Sequence, residues 1–257
     1  MIPKVIHYCW LSNDPFPKLV EECLASWKRI LPDYDFILWD TNKFDINSTQ
    51  WTKQAFEAKK YAFASDYIRL YALYNYGGIY LDTDVEVLKS FNELLHLPYF
   101  IGLEQHNIIE AAVIGAEKHN SWIKDCMKYY EQNEFMFDKD KLTEFIIPTI
   151  MENEIMKNKK IIKLNVNEVK NIEKHINNTS NLVLFPFEYF SAKNNETHEI
   201  KSTPNTYTIH HFNNYWVPAQ KKIRSSFKRK LINAFGARKT DRIIEFIGFR
   251  KIKRMLR

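Results

Sequence analysis

Three cysteines in 257 residues, odd in number and without Cys-x-x-Cys spacing, exclude a disulfide framework and a zinc ribbon. A reducing compartment is expected. Six glycines and nine prolines are too few for a collagen-like, linker-dominated or disordered chain. No apolar run approaches the ~18 residues of a membrane span, and no basic segment with a long apolar run behind it opens the chain. A cytoplasmic location, peripheral on the inner face of the plasma membrane, is therefore expected. No internal repeat or low-complexity tract is evident. What the chain does have is 45% hydrophobic residues, a third of them aromatic, enough to fill the core of one large α/β domain.

Its net charge of +6 is unevenly spread. Residues 219–257 hold 14 Lys and Arg against Asp241 and Glu245, which leaves residues 1–218 net acidic. Two parts are expected: a catalytic domain over 1–218 and a basic helical tail over 219–257. Within the tail, Ile223, Phe227, Leu231, Ile243, Phe246 and Ile247 interleave with cations at helical spacing, a pattern that suits an anionic lipid surface or a helix pair docked on the body. No nucleic-acid motif accompanies this charge, so no nucleic-acid partner is expected.

Residues 5–10 (VIHYCW) are a short apolar run bounded by turn residues and read as a buried strand. Pro17 opens a helix whose apolar residues Val20, Cys23, Leu24 and Trp27 share one face, and Pro32 closes it. Residues 34–39 form a second strand, and strand–helix–strand order begins an α/β sheet with parallel neighbours. From 53 to 76 there is no Gly or Pro, which predicts one long helix or two abutting ones ending at Gly77-Gly78. A strand over 79–81 runs into Asp82-Thr83-Asp84, and 85–87 leaves the sheet. Further strands are predicted over 99–103, 111–114, 182–185 and 207–211, with a helix over 121–130 and more helix between 131 and 181.

Asp82 and Asp84 carry the chemistry. On an extended segment two carboxylates at i and i+2 project to one face, together with Tyr80. Their mutual repulsion is relieved by a hard divalent cation, Mn²⁺ or Mg²⁺, which would bridge to phosphate oxygens. The pair follows a buried strand, where open α/β sheets place their ligands. On the preceding helix Ser65, Asp66 and Arg69 make a second polar group in an apolar sequence, with Asp66 and Arg69 on one face.

The blocks IPKVIHYCW, AFASDYIRLYALYNYGGIYLDTDVEVLKSF and YTIHHFNNYW resemble the DXD sugar-transferase family that includes glycosyltransferase family 32, yeast-type initiating mannosyltransferases and bacterial capsule enzymes. More distantly they are similar to the catalytic domains of clostridial glucosylating toxins. The resemblance implies a GT-A type α/β fold and a metal-dependent, retaining transfer of a hexose or N-acetylhexosamine from a nucleoside-diphosphate sugar, UDP favoured over GDP. It implies a glycan or lipid-linked glycan acceptor in bacterial surface polysaccharide synthesis. A protein acceptor, as in the toxins, and a non-catalytic membrane-surface scaffold are the alternatives.

By the same resemblance Trp10 stacks on the base, Ser65, Asp66 and Arg69 contact the donor, and Tyr80 sits beside the diphosphate. Asp82 and Asp84 hold the metal, and Trp216 closes on the donor. His210 or His211 adds a further metal ligand. Alternation on a regular strand turns these two to opposite faces, so at most one binds metal; His211 is preferred and His210 is the alternative. Glu104, His106 and Glu110 are expected where acceptor contacts form.

Overall fold

Five strands make the central sheet of the computed structural model, which describes residues 1–136 and 146–213. Trp216 and the tail over 219–257 lie outside the described residues. In chain order the strands are β1 (Val5–Cys9), β2 (Asp35–Trp39), β3 (Gly78–Leu81), β4 (Val85–Val87), β5 (Tyr99–Leu103), β6 (Ile109–Ala116), β7 (Lys160–Lys163), β8 (Asn181–Leu184) and β9 (Thr208–His210). The helices are α1 (Lys18–Ile30), α2 (Gln50–Glu57), α3 (Tyr61–Tyr76), α4 (Ser121–Gln132), α5 (Ile147–Met156), α6 (Val166–Val169), α7 (Glu173–Ile176) and α8 (Phe187–Phe190). The central order is β2-β1-β3-β6-β5, with β1 parallel to β2 and β3 while β6 runs against both its neighbours. The expected α/β class, a mixed sheet flanked by helices, is present.

Two abutting helices fill 50–76, and Lys59 at φ 55° breaks them apart. Helix α3 buries most of its length, including Phe63, Ile68, Leu70 and Leu73, against the sheet and α4. A helix buried on nearly all sides must pair any polar group it carries, which makes Ser65, Asp66 and Arg69 informative. It stops at Gly77 (φ 66°), and Gly78 (φ 109°) starts β3. A Cβ on Gly78 would lie 2.7 Å from the Val5 carbonyl oxygen, so only glycine lets β3 approach β1 this closely.

One expectation about the periphery needed correction. The 131–181 stretch, expected to be helical, also contains β7, whose Ile161 and Ile162 are flanked by lysines and pair in parallel with β8. Four residues without alternation give no strand signal of their own; the partner 20 residues later supplies it. The exit segment becomes β4 of a separate two-stranded sheet with β9. Helix α1 holds β4 in place: Trp27 Nε1 donates to the Val85 carbonyl at 2.7 Å, and Val87 N–H donates to Ser26 Oγ at 3.0 Å. Among the described residues, no helix is long and apolar enough to cross a membrane.

Fully buried in β1, His7 sits between Gly77 O, 2.8 Å from Nε2, and Trp39 Nε1, which donates to Nδ1 at 3.1 Å. Nδ1 must stay unprotonated to accept from Trp39. Burial, opposed by the Gly77 carbonyl and assisted by Lys43, lowers its pKa to about 4. The unfolded chain binds this proton below about 6.5 and the folded chain does not, so the contribution is fully present above 6.5 and is lost as pH falls towards 4. The expected slope reaches about 1.4 kcal/mol per pH unit. Asp66 and Glu104, whose carboxyls burial raises to about 7, act in the opposite sense over this window. The readout is therefore the difference between wild type and His7→Gln in urea unfolding at pH 7 and pH 5. Equal pH dependence in both proteins would contradict it.

Candidate functional site

The carboxyl ends of β1 and β3 lie side by side, since His7 pairs with Tyr80 in register. Asp82-Thr83-Asp84 follows β3 as a turn closed by Val85 N–H donating to Asp82 O at 3.0 Å. Extended alternation therefore does not bring the two carboxylates together, as the i,i+2 argument supposed; the turn does. Beyond it, β4 pairs with β9 in the register Val85↔His210, which sets His210 next to Asp84.

Asp82, Asp84 and His210 each offer one ligand atom, all within 4.8 Å of one another. His210 Nε2 lies 3.5 Å from Asp84 Oδ1, and Asp84 Oδ2 accepts the Asn213 N–H at 2.8 Å. Burial opposes the Asp84 charge, but His210 and the Asn213 N–H outweigh it and hold the carboxyl at about 2. The acid is thus ionised at neutral pH, as a cation ligand must be. Side-chain exposure rises from 12% at Asp84 through 15% at His210 to 28% at Asp82, so the set opens to solvent on the Asp82 side. Two carboxylate oxygens and one imidazole nitrogen are donors of the kind that hold a divalent cation. The preference for His211 is corrected by the β4–β9 register: its Nε2 lies 3.1 Å from Glu86 Oε2, away from the aspartates.

The second polar group does stand beside the first. Arg69 Nη2 donates to Asp66 Oδ1 at 2.9 Å and lies 3.4 Å from Asp82 Oδ1, Nη1 donates to the Ala111 carbonyl at 2.8 Å, and Cζ lies 4.6 Å from the centre of the Tyr80 ring. Tyr80 in turn donates its hydroxyl to Asp82 Oδ1 at 2.8 Å. Arg69 is 4% and Tyr80 1% exposed. Both are spent inside the protein, holding one Asp82 oxygen and so orienting the other. Burial is also the main reason the Asp66 carboxyl is pushed up to about 7, against the pull of Arg69. Ser65 is likewise turned inward, its hydroxyl on the Ala62 carbonyl at 2.7 Å.

Trp10 stands one residue past β1, half-buried, edge-on to Phe16 at 5.1 Å, with Nε1 donating to Asp14 O at 2.9 Å. It flanks the same sheet end as Asp82. Glu110, placed by sequence among acceptor contacts, is 3% exposed and turned to His210. Spacing gave no signal for that pairing, because the two residues are 100 apart in sequence.

Residues 17–101 match the family model described as the glycosyltransferase sugar-binding region containing the DXD motif, and within them Asp82-Thr83-Asp84 has the Asp-x-Asp pattern. The chain is 28% identical over 149 residues to inositol phosphoceramide mannosyltransferase 3 of Schizosaccharomyces pombe, a match covering 55% of this chain and 41% of that protein. It is 29% identical over 143 residues to a mannosyl phosphorylinositol ceramide synthase of Saccharomyces cerevisiae, covering 52% of this chain and 37% of that protein. The chain thus spans about two fifths of the length of these relatives. Among solved structures, the PaToxG glycosyltransferase superposes with a TM-score of 0.47 at 19% identity, covering 61% of this chain and 68% of that one.

Proposed function

We propose that this domain is a DXD-type glycosyltransferase that uses a divalent cation to transfer a hexose or N-acetylhexosamine, with retention, from a nucleoside-diphosphate sugar to a glycan or glycolipid acceptor. The observation that carries the reading is the convergence of Asp82, Asp84 and His210 at the end of β3. When bound there, a cation supplies Lewis-acid stabilisation to the departing diphosphate. The protein's own residues do the positioning. Arg69 and Tyr80 fix Asp82 through one oxygen, the Asn213 N–H fixes Asp84, and Trp10 offers a ring at the mouth of the same sheet end for the base. The relatives' names include mannose and inositol phosphoceramide, which supports a mannosyl donor and a lipid-borne acceptor over a capsule intermediate specifically.

The test is a panel of UDP- and GDP-sugars, GDP-mannose included, followed by release of free sugar with Mn²⁺ and then with EDTA. At least one donor is expected to turn over, to stop with EDTA and to resume with added Mn²⁺. Turnover of none, or equal rates with and without chelator, counts against the reading.

A further inference from the structure

Glu110 provides no ligand atom to the cluster, yet it is buried against a residue that does. It is the second residue of β6, 3% exposed, and both carboxylate oxygens are engaged: Oε1 accepts the Ala112 N–H at 2.9 Å and Oε2 lies 3.2 Å from His210 Nδ1. At 3% exposure neither oxygen is open to an acceptor sugar. An ionised carboxylate in such a place costs several kcal/mol unless paired, and the partner here is a single imidazole. That ring uses its two nitrogens on opposite sides, Nδ1 towards Glu110 and Nε2 towards Asp84.

We infer that Glu110 is a positioning residue that takes the Nδ1–H of His210, fixing the ring's rotation and tautomer so that Nε2 is presented to a cation on Asp82 and Asp84. The inference rests on the cation site proposed above. An imidazole held only by its Cα–Cβ and Cβ–Cγ torsions samples several rotamers, and a neutral one exchanges its proton between two nitrogens. A buried carboxylate anchored to backbone removes both freedoms, and loss of such partners commonly costs ~10–100-fold in metal affinity. The anchor is rigid because Glu110 lies in the same strand as Ala111, whose carbonyl holds Arg69. Strand β6 thus braces the histidine on one side of the aspartates and the arginine on the other.

The test measures Mn²⁺ affinity of the full chain by the electron paramagnetic resonance signal of free Mn²⁺, with a melting curve for each variant. Glu110→Ala is expected to bind ~10–100-fold more weakly, and Glu110→Gln, which keeps an oxygen able to accept from Nδ1, to lose less. Removing a negative charge also weakens a nearby cation through space. Both substitutions are therefore repeated in a His210→Ala background, where the part acting through the ring is gone and only the smaller through-space loss should remain. Wild-type affinity in Glu110→Ala, or the same loss with and without His210, overturns the inference while leaving the cation site standing. Should Glu110→Ala melt below the assay temperature, Glu110→Gln carries the comparison in the two backgrounds with the same readings. Wild type that binds no Mn²⁺, or Asp84→Asn that binds as wild type does, removes the cation site and this inference with it.

Discussion

Asp84→Asn is expected to keep the fold and to lower Mn²⁺-promoted donor turnover by ~10³-fold or more, equivalent to about 4 kcal/mol of transition-state stabilisation. The size follows from where the carboxylate sits. Asp84 is 8% exposed, held ionised with a pKa of about 2, and faces His210 on one side and the Asn213 N–H on the other. An amide of the same shape still accepts the Asn213 N–H through its oxygen. It supplies no charge, however, and the proposed site sets two carboxylates against one divalent cation. The measurement is kcat/KM for nucleoside diphosphate release with Mn²⁺, beside near-ultraviolet circular dichroism. Activity within tenfold of wild type, in a protein with a native spectrum, would refute the role.

The largest effect on stability is expected at Arg69. Replacement by Gln should cost ~3–5 kcal/mol, because it removes one partner of a buried pair and strands the others. The guanidinium satisfies Asp66, Asp82 and the Ala111 carbonyl and lies against the Tyr80 ring, while only its Nε lacks a partner among the described residues. Two further readings identify the cause. Adding Asp66→Asn should restore part of the loss, since it removes the charge left without a counterion. The deficit should also be smaller at pH 6 than at pH 8, shrinking as pH falls towards about 7, because without the pull of Arg69 the buried Asp66 carboxyl takes up its proton at higher pH than in wild type. Urea unfolding of the single and double variants at pH 8 and pH 6 measures all three. A pH-independent loss under 1 kcal/mol would show that Arg69 contributes little beyond its packing.

Much of this arrangement was legible along the chain. The run 5–10, the Pro17-to-Pro32 helix and the Gly77-Gly78 stop are local signals, and each became the element expected. So was the meeting of Asp66 and Arg69 with Asp82, because a short break joins helix and strand and leaves few ways to arrange them. Less visible was what those residues face. Nothing near Arg69 in sequence shows that its guanidinium is buried against β6, because the Ala111 carbonyl it bonds lies 42 residues later. Which histidine stands beside the aspartates was hidden for a related reason. Alternation says that only one of two neighbours points to the site, and the pairing of β9 with β4 says which. Lys160–Lys163 was missed because a four-residue parallel strand takes its stability from its neighbour and not from its own composition.

Because β9 comes so late, the site has a temporal order. His210 follows Glu110 by 100 residues, an interval of ~5–20 s at ordinary rates of translation. During that time a nascent chain already carries the aspartate turn and the strand that will brace it, but not the nitrogen that completes the set. In the proposed cation site, newly made protein therefore lacks one of the three ligand atoms until β9, the last described strand, pairs with β4.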